Sequence, residues 1–212
     1  MQGEVKPDKK AQEEQAGREK YQRILNSAIK IFARKGFHHT RVSEIAQEAG
    51  VADGTIYLYF RNKDDILIKV FEESLRQIID RFEKELKKEP DPISRLERFI
   101  WLHLELLEEN KALAEVLQVE LRQSHKFMKE YVPVEFLRYI DIIAQILKEG
   151  QSEGVFKKDI SPGIFKRALF GALDELSLHW VLTKKGKSYI KSSAEQICKI
   201  FLRGIVREGV EV

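Results

Sequence analysis

Apolar residues recur at intervals of three and four along almost the whole chain, the spacing of helices with one buried face. Tyr21, Ile24, Leu25, Ala28, Ile31 and Phe32 form the first stripe, predicting a helix over 18–35 that stops at Gly36. A short second helix, preceded by Thr40 or Val42, runs through Ala49 and ends at Gly50. Asp53 is placed to cap a third over 54–60. Asn62 precedes a long fourth over 63–88, halted before Glu89-Pro90 because the residue ahead of a proline disfavours helix. Further stripes predict helices at 92–108, 112–124, 128–150, 162–183 and 188–207, the third of these either starting or kinking at Pro133. Residues 152–161 read as a connector. No glycine lies between Thr55 and Glu149, and no Asn-Gly hairpin turn occurs, so the expected class is all-α.

Charge changes this picture unevenly. The chain of 212 residues carries 37 Lys+Arg against 34 Asp+Glu, a formal net charge of only +3. Residues 1–63 hold 12 basic and 8 acidic side chains, so the positive excess sits in the first third. Residues 1–17 are charged without an apolar stripe and are read as a flexible arm. A hydrophobic content of 43% excludes a disordered chain. One cysteine, Cys198, excludes an internal disulfide framework, and its apolar neighbours predict burial rather than redox sensing. No leader-like or membrane-spanning run is seen, so a soluble cytoplasmic protein without membrane association is expected.

The chemistry is concentrated between Arg41 and Lys63, where a short helix, a tight turn and another short helix follow one another. Val42, Ile45 and Ala46 face inward, Gly50 supplies a left-handed turn residue, and Ile56 and Phe60 hold the next helix to the core. The hydroxyls of Thr40, Thr55 and Tyr59 and the ammonium of Lys63 are suitable phosphate donors, with Arg41 as a nearby cation. Spacing alone leaves two readings open, a helix-turn-helix on DNA or a structural αα corner; placement within the basic third favours DNA. Asp53 is open to two roles, helix cap or acceptor from a cytosine amino group, with capping favoured.

The run IFARKGFHHTRVSEIAQEAGVADGTIYLYFRNKDDIL resembles the DNA-binding region of TetR-family transcriptional regulators. Gly36-Phe37, Ile45-Ala46, Ala49-Gly50-Val51 and Tyr57-x-Tyr59-Phe60-x-Asn62-Lys63 carry the resemblance, from about Ile24 to Leu67. It implies an all-α homodimer of about nine helices per chain, three on operator DNA and about six in a ligand-binding, dimerising body. The division would be 18–63 and 64–212. Thr40, Thr55, Tyr59 and Lys63 would then hold phosphates, and Ala52, Asp53, Gly54 and Tyr57 would lie nearest the bases. Leu58 stands where many relatives place a larger or polar group.

In the body, Trp101, Leu104, Leu107, Leu117, Leu121, Ile143, Ile146, Phe170, Leu173 and Trp180 offer more apolar surface than thin helix contacts require. An ordinary bundle core remains the plain reading for each alone. Asp174 or Glu175 should meet Arg122, His103 or a cation of a partner chain, because a carboxylate on an apolar helix is costly unless paired. The expected dimer interface uses Phe165, Leu169, Ala172 and Leu176 with Ile190, Ala194, Ile197 and Phe201. Leu121-Arg122-Gln123-Ser124, Glu149-Gly150 with Gly154, and Phe170-Gly171 followed by Asp174-Glu175 and Trp180-Val181 resemble the FadR-type (YsiA-like) regulators of fatty-acid degradation. That resemblance implies a repressor released from DNA by long-chain fatty acyl-CoA. Charge and proximity to the apolar stripe, not a motif, make Arg122, Lys126, Lys166 and Arg167 candidate phosphate partners. The alternatives are a TetR-type repressor of an efflux or other metabolic operon with a different hydrophobic ligand, and a helical interaction module without DNA binding. No cofactor, metal or enzymatic activity is expected. Glu175 and His179 have an i, i+4 spacing two metal ligands share, but no third ligand or nucleophile motif accompanies them.

Overall fold

The computed structural model describes residues 9–183 and 185–210. Ten α-helices are formed among them: α1 (Lys9–Lys35), α2 (Val42–Ala49), α3 (Asp53–Ile56), α4 (Lys63–Leu86), α5 (Pro92–Glu109), α6 (Lys111–Gln118), α7 (His125–Lys129), α8 (Val134–Ser152), α9 (Pro162–Thr183) and α10 (Lys187–Ile205). A 3-10 turn, Glu120–Gln123, links α6 to α7. The all-α, TetR-like architecture is as the periodicity and the resemblance imply.

Three boundaries differ from expectation, each for a local reason. First, α1 begins at Lys9, so residues 9–17 are helix rather than arm, while the rest of the expected arm lies outside the described residues. An apolar stripe marks what a helix buries, not where it stops; exposed i, i+4 pairs such as Gln15–Glu19 (3.0 Å) support the polar turns. Second, the stretch expected as one helix over 112–124 is broken. Ser124 does not end a helix but caps α7, its hydroxyl accepting from the Phe127 N–H at 3.1 Å. Third, α3 covers Asp53–Ile56 rather than 54–60, because the Leu58 and Tyr59 N–H groups donate three residues back, to Thr55 (3.2 Å) and Ile56 (3.0 Å), and close the segment as turns. Helix α8 starts at Val134, directly after Pro133, one of the two alternatives expected there.

Asparagine and aspartate caps fix the starts of α4, α5 and α6. Asn62 accepts from the Asp65 N–H (2.9 Å) ahead of α4, Asp91 from the Ser94 N–H (2.9 Å) ahead of α5, and Asn110 from the Leu113 N–H (3.0 Å) ahead of α6. Helix α5 is central, touching α4, α6, α8, α9 and α10. Phe82, Phe99 and Phe156 are fully buried, and one apolar cluster runs from Ile24 in α1 to Val206 beyond α10. Cys198 is buried, and burial pushes its thiol up to about 12, consistent with the inert role expected. Among the described residues no helix is long and apolar enough to cross a membrane.

The end of α8 depends on Gly150. Its carbonyl accepts from the N–H groups of Val155 (2.8 Å) and Phe156 (3.0 Å), folding the chain back so that the Phe156 ring lies on the helix. A Cβ at Gly150 would stand 2.1 Å from Phe156 Cδ2. Gly150→Ala gains ~0.5–1 kcal/mol of helix propensity but overpacks a fully buried ring. A net loss of about 2 kcal/mol is expected, read as a lower urea midpoint at unchanged slope.

Candidate DNA interface and candidate effector cavity

The reading head is built by α1, α2 and α3. Ile45, Ala46, Ala49, Ile56 and Phe60 are buried and fix α2 and α3 on α1. Gly50 takes φ 63° and ψ 42°, and the Val51 N–H donates to the Ala46 carbonyl at 3.0 Å, so the chain leaves α2 at a sharp angle. The Glu44 carboxylate accepts from the Arg41 N–H (2.9 Å) and pairs with Lys35, interactions that hold its carboxyl below the usual range. That leaves Arg41, Ala52, Asp53, Gly54, Tyr57 and Leu58 exposed, Leu58 at 82%. A large apolar side chain so exposed beside Tyr57 contributes nothing to its own core and is available to a partner.

Three residues read as DNA contacts have different local roles. Asp53 is the first residue of α3, not its cap; Ala52 holds the cap position and no side chain bonds there. The Asp53 carboxylate complements the helix dipole from within the first turn. Thr40 is 3% exposed and its hydroxyl donates to the Gly36 carbonyl at 2.7 Å, so it braces the α1–α2 loop rather than presenting a free donor. Lys63 lies 4.6 Å over the Phe37 ring and donates to the carbonyls of His38 (3.1 Å) and Thr40 (3.0 Å). An ammonium carries three donors, so one is left for a phosphate. Thr55 and Tyr59 are half-buried, with the Tyr59 ring against Tyr21 at 5.9 Å.

The body encloses a cavity of about 720 Å³, within the range of small-molecule sites. Of the residues expected to line it, His103, Leu107, Leu117, Leu121, Arg122, Phe170 and Asp174 do so. Trp101, Leu104, Ile143, Leu173 and Trp180 do not: Leu104, Ile143, Leu173 and Trp180 are packed in the core and Trp101 lies half-buried against it. Periodicity shows that a residue is buried, not whether a void or another helix faces it. The α4 wall, Phe71, Ser74, Leu75, Gln77, Ile78 and Arg81, was missed; its signal is the polar Ser74 buried within an apolar stripe, with Gln77 and Arg81 at its edge. Aromatic residues Phe127, Tyr131, Phe136 and Tyr139 also line it. Phe127 stands edge-on to Phe71 at 5.0 Å, and the Tyr131 hydroxyl donates to Glu72 at 3.1 Å, tying the α7 segment to α4.

Both arginines at the cavity are balanced. Arg122 bonds both carboxylate oxygens of Asp174, at 2.8 and 3.0 Å, which is the pairing the sequence called for. Arg81 pairs with Glu109, Nη2 to Oε1 at 2.8 Å. Of the other candidate phosphate partners, Lys166 is ion-paired with Asp141, and neither Lys126 nor Arg167 lines the cavity.

His103 is held in a buried relay. Ser177 donates its hydroxyl proton to the Leu173 carbonyl (2.7 Å) and so accepts from His103 Nε2–H (3.3 Å). Nδ1 then accepts from the Tyr139 hydroxyl at 2.6 Å. Burial pushes His103 down to about 4, with Asp174 opposing weakly, and raises the Tyr139 phenol well above its ordinary value. The cavity wall is therefore uncharged here near neutrality.

The expected dimer stripe lies largely inward in the single chain. Phe165, Leu169, Ile190, Ala194 and Ile197 are buried in the chain's own core, and Ala172, Leu176 and Phe201 are half-buried against it. The exposed apolar face of these helices carries Ile164 (72% exposed), Leu182 (64%) and Ile200 (61%) instead. Glu175 is exposed and His179 lies against the Tyr189 ring at 5.6 Å. Among the described residues no group of three or more metal-ligating side chains occurs.

Residues 24–70 match the N-terminal family profile of bacterial regulatory proteins of the tetR family, and residues 71–204 match that of the YsiA-like protein C-terminal region. The fatty acid metabolism regulator protein of Bacillus subtilis is 36% identical over 188 residues, covering 89% of this chain and 96% of that protein. The crystal structure of FadR from Bacillus subtilis in complex with stearoyl-CoA is 34% identical, with a TM-score of 0.81 over 90% of this chain and 100% of that one. FadR from Bacillus halodurans, a fatty acid degradation regulator, is 32% identical with a TM-score of 0.81, covering 87% of this chain and 95% of its own.

Proposed function

The chain belongs to the TetR family of bacterial regulatory proteins, with a YsiA-like body, and we propose that it is a dimeric repressor of fatty-acid-degradation genes released from its operator by long-chain fatty acyl-CoA. Residues 18–63 act as the reading head and 64–212 as the sensing and dimerising body. The exposed surface of α3 and its following turn, led by Tyr57 and Leu58, enters the major groove, with Lys63 and Arg41 at phosphates. Two heads must sit about one helical turn apart, roughly 34–36 Å, to engage two half-sites. The outward face of α9 and α10, with Ile164, Leu182 and Ile200, is the surface offered to the second copy.

One observation carries the choice of ligand: the cavity is broadly apolar, and each arginine in its lining already has a carboxylate partner. A free fatty acid would bring an unpaired carboxylate into this setting, at a large desolvation cost. A thioester brings the same apolar chain with an uncharged head, and leaves its phosphates outside. The stearoyl-CoA bound to the Bacillus subtilis relative, over a matching fold, supports the same class.

The test is a release titration. The protein, bound to a duplex it has selected from a random pool, is titrated with stearoyl-CoA, palmitoyl-CoA, octanoyl-CoA and oleate while anisotropy reports bound DNA. Release by the two long acyl-CoAs, at concentrations well below those needed for octanoyl-CoA or oleate, is expected. Unchanged DNA affinity at saturating, independently measured acyl-CoA binding would overturn the effector assignment.

A further inference from the structure

The turn at 120–124 touches the head and the cavity with alternate side chains. Leu121 and Arg122 line the cavity, and Arg122 is bonded to Asp174 of α9. Glu120 and Ser124 point the other way. The Glu120 carboxylate, 9% exposed, accepts from the backbone N–H of Phe37, 83 residues earlier in the chain. The Ser124 hydroxyl, 1% exposed, donates to Asp64 in the first turn of α4 at 2.6 Å.

The loop from Gly36 to Thr40 that receives Glu120 delivers the chain into α2. Three anchors fix it. The Thr40 hydroxyl closes onto the Gly36 carbonyl at 2.7 Å, Lys63 grips the carbonyls of His38 and Thr40, and Glu120 holds the Phe37 N–H. Gly36 takes φ 82°, a conformation that favours glycine, and the chain leaves it with the Phe37 N–H on Glu120 and the Phe37 ring against Phe32 at 5.7 Å. Two anchors travel with the head; only Glu120 belongs to the sensing body.

We propose that Glu120 is a positioning residue for DNA binding: its bond to the Phe37 N–H holds the α1–α2 loop in the placement that presents Arg41 and α2 to the operator, and carries any displacement of Arg122 at the cavity directly into that loop. This route rests on the regulator reading. Separation of Arg122 from Asp174 moves a turn of five residues, 120–124, whose first side chain is fastened to the head. Ser124 makes a second connection, to Asp64 in the first turn of α4, so one end of the turn grips the reading head and the other the helix that follows it, while its middle faces the ligand.

Glu120→Gln keeps a side-chain carbonyl as acceptor; Glu120→Leu keeps comparable size and leaves the Phe37 N–H buried without a partner. Without ligand, Glu120→Leu is expected to bind the selected duplex about tenfold more weakly than the native protein, and Glu120→Gln within about threefold. The Phe37 amide should exchange with deuterium faster in Glu120→Leu only, and the ratio of DNA Kd with and without stearoyl-CoA should fall toward one in that variant. A merely structural role would speed exchange in Glu120→Leu but leave the ratio of DNA Kd with and without stearoyl-CoA unchanged. Equal DNA affinity for Glu120→Leu and native protein, or equal impairment of both variants, would overturn the proposal. A native protein that binds DNA but not stearoyl-CoA would overturn the acyl-CoA reading alone, since the affinity and exchange comparisons need no ligand. A native protein that binds no duplex would overturn both.

Discussion

Leu117→Trp should raise the acyl-CoA concentration needed for half-release from DNA at least about a hundredfold, while leaving DNA affinity in its absence within about twofold. Leu117 lines the cavity from α6 and is only half-buried. An indole there occupies space that an acyl chain would need, without inserting into the packed core where overpacking would cost about 1–3 kcal/mol. Leu117 faces the cavity, so the free protein is expected to keep its grip on DNA. The size of the effect follows from linkage. A ligand shifts a conformational equilibrium only by its differential affinity for the two states, and a ligand that cannot enter has none. Anisotropy titrations of the native and variant complexes with stearoyl-CoA measure both numbers together. An unmoved half-release point would show that the acyl chain lies elsewhere.

How much of this could be read from the chain depends on how local each feature is. The head was legible because a helix-turn-helix is set by neighbouring residues: small Ala46 and Ala49 under the turn, Gly50 in the left-handed region, and Ile56 and Phe60 anchoring the next segment. Capping was less legible. Ser124 and Asp53 are both plausible caps by residue type, yet only Ser124 receives an N–H, because the cap position of α3 falls on Ala52. The outward face of α9 was hard to read because the helix is apolar on more than one side. Phe165, Leu169 and Leu173 turn inward while Ile164, Ala168 and Gly171 turn outward, and periodicity cannot label the two faces. The cavity was half legible for a related reason: stripes encode burial, and a void has no sequence signature except a polar residue such as Ser74 interrupting one. The Glu120–Phe37 bond joins elements 83 residues apart and depends on the assembled fold.

Acidification should expose the cost of keeping His103 neutral. In the unfolded chain this side chain titrates near its ordinary 6.5; in the folded protein burial holds it at about 4. Between those values the unfolded chain binds a proton that the folded protein does not, and stability rises with pH wherever the unfolded state binds more protons. Its contribution is therefore fully present above pH 6.5, is lost as pH falls toward 4, and levels off below that. The loss amounts to about 3 kcal/mol, a large share of the ~5–15 kcal/mol typical of a folded domain. The carboxyl groups held low by their partners, such as Glu109 beside Arg81 and Asp91 beside Ser94, act in a lower window. Their folded values lie below the ordinary carboxylate range, so their stabilisation is present above that range and is lost only as pH falls through it. His103→Gln preserves a donor and an acceptor for Ser177 and Tyr139 but cannot titrate. Urea unfolding of both proteins at half-unit steps from pH 7.5 to 4.5 should give a stability that falls steeply below pH 6.5 in the native protein and much less in the variant. Parallel curves would mean that the His103 ring is solvated through the cavity, and that the wall facing the ligand is charged in acid rather than neutral.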